Sequence, residues 1–268
     1  MLSNGSRILT YACAALYAVT GLLLFIFPET LAPVFAWKVT AFMTMTIGGW
    51  CLGNAWLAFI TARRWDWGLV FTPLLYLWMF GIGESLVVYA FRDKLVLQHP
   101  VAWLYLITLT VTVLAAVVGI VDYISLRPSN TPGGPTITRT QTILLTLFVA
   151  FVGFLGVYGL TAQVGDFGTN GGIFPEIMSL FTLRSFGAFY LTIALALAPN
   201  IWNKSRNALL QHAIASYGLI VFITPAAFVY IRLFDFAERP GGLLYFAAYL
   251  GVGIPLLFTF RKYRTGSG

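Results

Sequence analysis

Charge is what this sequence has least of. Nine acidic and sixteen basic residues are spread over 268 positions, whereas about a quarter of a soluble domain is charged, so an ordinary water-soluble fold is excluded. Cysteine and histidine are scarcer still, two of each. Cys13 and Cys51 lie inside apolar runs, where a free cysteine packs as a small apolar side chain. His99 and His212 are expected on opposite sides of a bilayer and cannot ligate one haem or metal together. The sequence contains no phosphate loop, Gly-rich dinucleotide fingerprint or His-Glu-x-x-His helix, and each of those chemistries needs its motif. No cofactor is expected. The segments between apolar runs are too short for a soluble catalytic domain, which rules out primary active transport by this chain alone. Strand-type alternation is missing, which argues against a transmembrane barrel. The net charge of +7 sits in scattered loops without a basic face, so nucleic acid is not a partner.

What remains is apolar sequence, 59% of the chain. Long runs bounded by charge or proline occupy residues 7–27, 37–61, 67–91, 101–126, 140–163, 183–202, 208–234 and 242–260. Each reaches the roughly 20 residues a helix needs to cross the hydrocarbon. The expected fold is an all-α integral membrane protein with eight transmembrane helices. The first run follows a short basic lead, as a signal peptide would. It is longer than a signal core, and its block Leu16-Tyr17-Ala18-Val19-Thr20 returns as Val157-Tyr158-Gly159-Leu160-Thr161, so it reads as a retained helix.

That recurrence is one of several. Phe27-Pro28-Glu29 returns as Phe174-Pro175-Glu176, Ala41-Phe42 as Ala188-Phe189, Val88-Tyr89 as Val229-Tyr230, and His99-Pro100 as Arg239-Pro240. The matching residues lie 140 or 141 apart, or 147 for the block that runs from Phe-Pro-Glu to Ala-Phe. The expected plan is two parallel four-helix repeats, 1–126 and 140–268, joined by a linker at 127–139. This is similar in outline to transporters built from parallel repeats, although no motif matches one residue by residue. Lysine and arginine crowd the side holding both termini and the linker, including Arg63, Arg64, Arg127, Arg139, Lys204 and Arg206. That side is expected to be cytoplasmic, in a multi-pass protein of the cell membrane. Gly49 and Gly53, and Gly153, Gly156 and Gly159, have the spacing of close helix contacts. Trp37, Trp67, Trp103 and Trp202 read as interfacial anchors.

Candidate site residues are few. Glu84, within Gly81-Ile82-Gly83-Glu84-Ser85, sits inside an apolar run, where a carboxylate needs a partner, water or a proton. In the matched block the aligned residue is Pro225, an expected kink. Glu84 is either a ligand or proton site between helices, or a carboxylate bonded to a neighbouring helix or reaching outward to Arg92 or Lys94. Glu29 with Lys38, and Glu176 with Arg184, occur in both halves and are expected to pair. They either pin an interfacial segment or leave Lys38 and Arg184 to capture an anionic group such as a lipid phosphate. Three functional readings follow: a transporter-like protein that binds or translocates a small molecule or lipid between its repeats, a non-catalytic subunit or assembly factor with partner membrane subunits, or an intramembrane enzyme using Glu84.

Overall fold

The computed structural model describes residues 1–129, 134–163, 165, 176–238 and 240–265, the backbone alone at 244 and 259–265. Asp166, Phe174, Pro175 and Arg239, with part of the linker and of the Gly-rich loop, lie outside the described residues. The described chain is helical, without a strand. The elements are α1 (Asn4–Ile26), α2 (Pro28–Leu31), α3 (Ala41–Arg64), α4 (Trp67–Ala90), α5 (Pro100–Leu126), α6 (Arg139–Thr161), α7 (Leu180–Leu197), α8 (Pro199–Asn203), α9 (Arg206–Val229) and α10 (Gly242–Thr265).

Local sequence sets the boundaries. The side chains of Ser3, Thr40, Thr138, Ser179 and Ser205 each accept a hydrogen bond from a backbone N–H in the first turn of α1, α3, α6, α7 and α9, satisfying a donor that has no partner within the helix. Trp65 and Lys204 close α3 and α8 with φ of 35° and 50°. Pro73 and Pro225 lie within α4 and α9, and both helices continue through them.

Six helical stretches are long and apolar enough to cross a membrane: Asn4–Ile26, Trp67–Ala90, Pro100–Leu126, Arg139–Thr161, Leu180–Asn203 and Arg206–Val229. The chain is a helical membrane protein. α3 falls short of that apolarity because it carries Thr44, Thr46, Asn54 and Thr61, all buried. A helix wrapped by its neighbours has no need to be soluble in lipid. In α10 the fully described residues form an apolar stretch, Tyr245–Phe258.

α3 packs against α1 on one side and α9 on the other, while α7 packs against α6 and α4. Small residues set the distances. A Cβ added to Gly48 would lie 2.6 Å from the Phe25 backbone, and one added to Gly187 would lie 2.5 Å from the Leu160 backbone. Gly49 and Gly53 meet Phe222 and Leu219 of α9 at comparable range, and Gly156 meets Leu191. Gly153 differs, since its added Cβ would meet only Ala194, at 3.5 Å. Two pairs of helices begin at one common spacing. α3 opens at 41 and α7 at 180, α4 opens at 67 and α9 at 206, and α4 and α9 close at 90 and 229. Each separation is 139 residues, whereas α1 and α6, at 4 and 139, lie 135 apart. These differ from the block offsets of 140, 141 and 147.

Two of the expected interfacial tryptophans are interior. Trp37 is 2% exposed, stacks on Phe181 with ring centroids 4.2 Å apart, and donates from Nε1 to Thr182 at 3.1 Å. The segment 35–37 folds into the core instead of lying along a boundary. Trp67 is buried against Phe71 and Tyr123. Trp103 and Trp202 are exposed, as anchors require.

Candidate functional site

Tyr76, Phe80 and Glu84 stand one turn apart on the inward face of α4, all buried. Their spacing of four residues stacks them along one stripe. Glu84 is 0% exposed. Its Oε1 accepts hydrogen bonds from Tyr105 Oη of α5 and Ser185 Oγ of α7, each at 2.9 Å. Oε2 has no hydrogen-bond partner among the described residues. The carboxyl therefore ties together three helices, one of them from the second half of the chain. It does not reach outward: Lys94 pairs with Asp93 at 3.0 Å, and Arg92 lies over the Tyr89 ring. Its neighbouring glycines differ in role. Gly81 admits Thr112 of α5, where an added Cβ would meet the side chain at 2.5 Å, whereas Gly83 leaves Ala188 and Thr192 at 3.7 and 3.9 Å.

Neither expected acid–base pair forms. Glu29 accepts a hydrogen bond from Tyr230 Oη at 2.8 Å, and Glu176 accepts one from Thr40 Oγ1. Lys38 is exposed. Arg184 Nη1 donates instead to the carbonyls of Gly159 and Ala162, 2.8 Å each. The reason is local: α6 ends beside Arg184, and its last carbonyls are the negative end of a helix dipole, which favours a cation. The two acids each reach from one half of the chain to the other. Partial burial raises the Glu176 carboxyl above its ordinary range, and the Thr40 hydrogen bond opposes that shift. Burial also raises the Tyr230 phenol, with Glu29 and then the charge of Glu176 adding to it.

On the other side of the α4–α7 contact lies a groove of about 520 Å³. Its walls include Met79, Gly83 and Val87 of α4, Leu160 of α6, and Arg184 and Leu195 of α7. Arg184 is the one charged residue among the described residues of the lining. The groove places Arg184 near Glu84's neighbour Gly83, while Glu29, Glu176 and Lys38 are not part of it. Tyr105, Ser185 and the groove itself were absent from the sequence reading. Leu104-Tyr105 has a counterpart in Leu244-Tyr245, 140 residues on, but nothing in that match marks the tyrosine as a donor to Glu84.

Adding the 139-residue separation of the α4 and α9 boundaries to Glu84 gives Ile223, whereas the block offset of 141 gives Pro225. At the opposite end of the same two helices, buried His212 Nδ1 lies 2.9 Å from Thr72 Oγ1. Cys13 and Cys51 are buried free thiols. No three His, Cys, Asp or Glu side chains converge on a metal-sized space among the described residues. No protein-family model, curated protein or solved structure matches this chain.

Proposed function

We propose that this protein binds a small molecule or lipid drawn from the bilayer, in the groove between its two halves, and that translocation of that ligand is its transporter-like role. The observation that carries this reading is the position of the groove. It opens where α4 of the first half meets α6 and α7 of the second, and α3 with α9 and α4 with α9 also join the halves. Apolar clefts of this size, with one convergent polar group, are the usual form of a ligand site.

The architecture proposed with it is eight spans in two parallel repeats. The 139-residue spacing shared by α3 with α7 and α4 with α9 supports the duplication, as does the exchange in packing: each repeat's second span lies against the other's third, α3 on α9 and α7 on α4. In this reading α3 crosses the membrane as an interior helix and α10 as the eighth span. Both termini and the linker are cytoplasmic, because arginine and lysine concentrate there. The ends of α1 and α4 then face the outside.

A second reading, a subunit of a larger membrane complex, is favoured by one observation. α6 buries only Leu145, Val152, Gly156 and Gly159, leaving most of its apolar surface open to another chain. An enzyme built on Glu84 lacks room, since the carboxyl is enclosed on all sides. Native mass spectrometry after gentle extraction separates the first two readings. The expected result is a small bound mass that disappears in Gly83→Leu, whose side chain has space to grow into the groove. A stoichiometric second chain with no small mass would favour the subunit reading.

A further inference from the structure

Among the described residues of its lining, the groove carries a single charge, that of Arg184. We infer that its occupant is an anionic phospholipid, with its phosphate on Arg184 and an acyl chain lying along α4 and α7; this rests on the groove being a ligand site. Arg184 is half-buried at one end of the groove. Nη1 is fixed by the carbonyls of Gly159 and Ala162, which orients the guanidinium plane. Nε and Nη2 carry no partner among the described residues, and no carboxylate there lies within ion-pair distance. These two nitrogens form the edge that phosphates engage with two parallel hydrogen bonds.

Position along the helix sets the class of ligand. Arg184 lies four residues into α7, about 6 Å along the axis, near the hydrocarbon boundary where a lipid phosphate resides. From Arg184 to Leu195 the helix rises about 16 Å, and the lining along it is apolar except for Thr192. One chain fits that path, and the second stays in the bilayer on the groove's open side. A zwitterionic headgroup brings an ammonium for which the described lining offers no acid.

The test titrates detergent-purified, delipidated protein with phosphatidylglycerol, phosphatidylcholine and oleate, with binding read by native mass spectrometry. Phosphatidylglycerol is expected to bind about tenfold tighter than phosphatidylcholine, the size of one charge-assisted contact, and that preference is expected to shrink as salt rises. Arg184→Gln, which removes the charge and keeps a shorter polar side chain, is expected to bring phosphatidylglycerol down to the phosphatidylcholine level and leave the latter unchanged. Gly83→Leu is expected to weaken both. A preference that survives Arg184→Gln, or one indifferent to salt in the unmodified protein, overturns the inference while leaving the groove as a site. The salt series alone decides should the variant not fold. Oleate binding as tightly as phosphatidylglycerol overturns the phospholipid assignment in favour of a fatty acid. Lipid binding untouched by Gly83→Leu removes the groove reading itself.

Discussion

At the scale of single residues, the Glu84 carboxyl is a junction, and its energetics are those of a shared acceptor. Tyr105 and Ser185 both donate to one oxygen, so deleting either donor leaves the acceptor with its other partner, whereas deleting the acceptor strands two buried hydroxyls. Tyr105→Phe and Ser185→Ala are each expected to cost about 1 kcal/mol, and Glu84→Leu several times that. In the Glu84→Leu background the two donor deletions should cost little, a non-additivity that a double-mutant cycle on detergent-solubilised protein measures. Additive losses would show that the three side chains do not act together.

Glu176 lends itself to a pH experiment because it lies outside the spans. Its carboxyl is raised in the folded protein by partial burial, so the folded state holds the proton more tightly than the unfolded chain. Its contribution to stability is therefore present at acid pH and declines as pH rises from the ordinary carboxylate range through the raised value. The slope is modest, since the group is only half-buried. Glu176→Gln is expected to flatten that part of the thermal-stability profile against pH; an unchanged profile would mean that the burial has no energetic consequence.

At the scale of helices, contact distance separates glycines that the sequence cannot tell apart. Gly48 and Gly153 both sit in apolar helices, but an added methyl group strikes backbone in one and meets ordinary contact in the other. Gly48→Ala is expected to part α1 from α3 and lower the yield of monodisperse protein in size-exclusion chromatography, while Gly153→Ala should behave as the parent. Equal behaviour would indicate that α1 and α3 tolerate displacement. Apolar runs made the helices themselves legible to within a few residues, because length and hydropathy are properties of one segment. Trp37, just before α3, was misread: it looks like a boundary anchor in one dimension and is a core residue in three. The site was legible in part. Glu84 stood out because a lone acid in an apolar run is costly, but its partners come from helices α5 and α7, and Arg184's preference for α6 carbonyls over Glu176 depends on where α6 ends. Spacing along the chain does not encode those distances.

At the scale of the whole molecule, the eight-span proposal makes a sharp demand on topology. Cys13 and Cys51 are buried, so replacing both with alanine gives a background for single-cysteine labelling. Cysteines placed at Ser129 and Asn203 are expected to react only from the cytoplasm, and ones at Lys94 and Asp235 only from outside. If α3 fails to cross, Lys94 and Ser129 exchange sides.

The interior position of α3 also bears on how the chain is made. Its buried threonines and Asn54 suit it to a protein environment, yet one of its two principal neighbours, α9, is translated some 160 residues after it. At about 5–20 residues per second, the ribosome leaves α3 half-covered for roughly 10–30 s. During that interval the nascent first half holds a helix that lipid solvates poorly and a quality-control protease recognises well. A chain ending after α5 is expected to be short-lived in pulse-chase labelling, and co-expression of the missing half in trans is expected to lengthen its life.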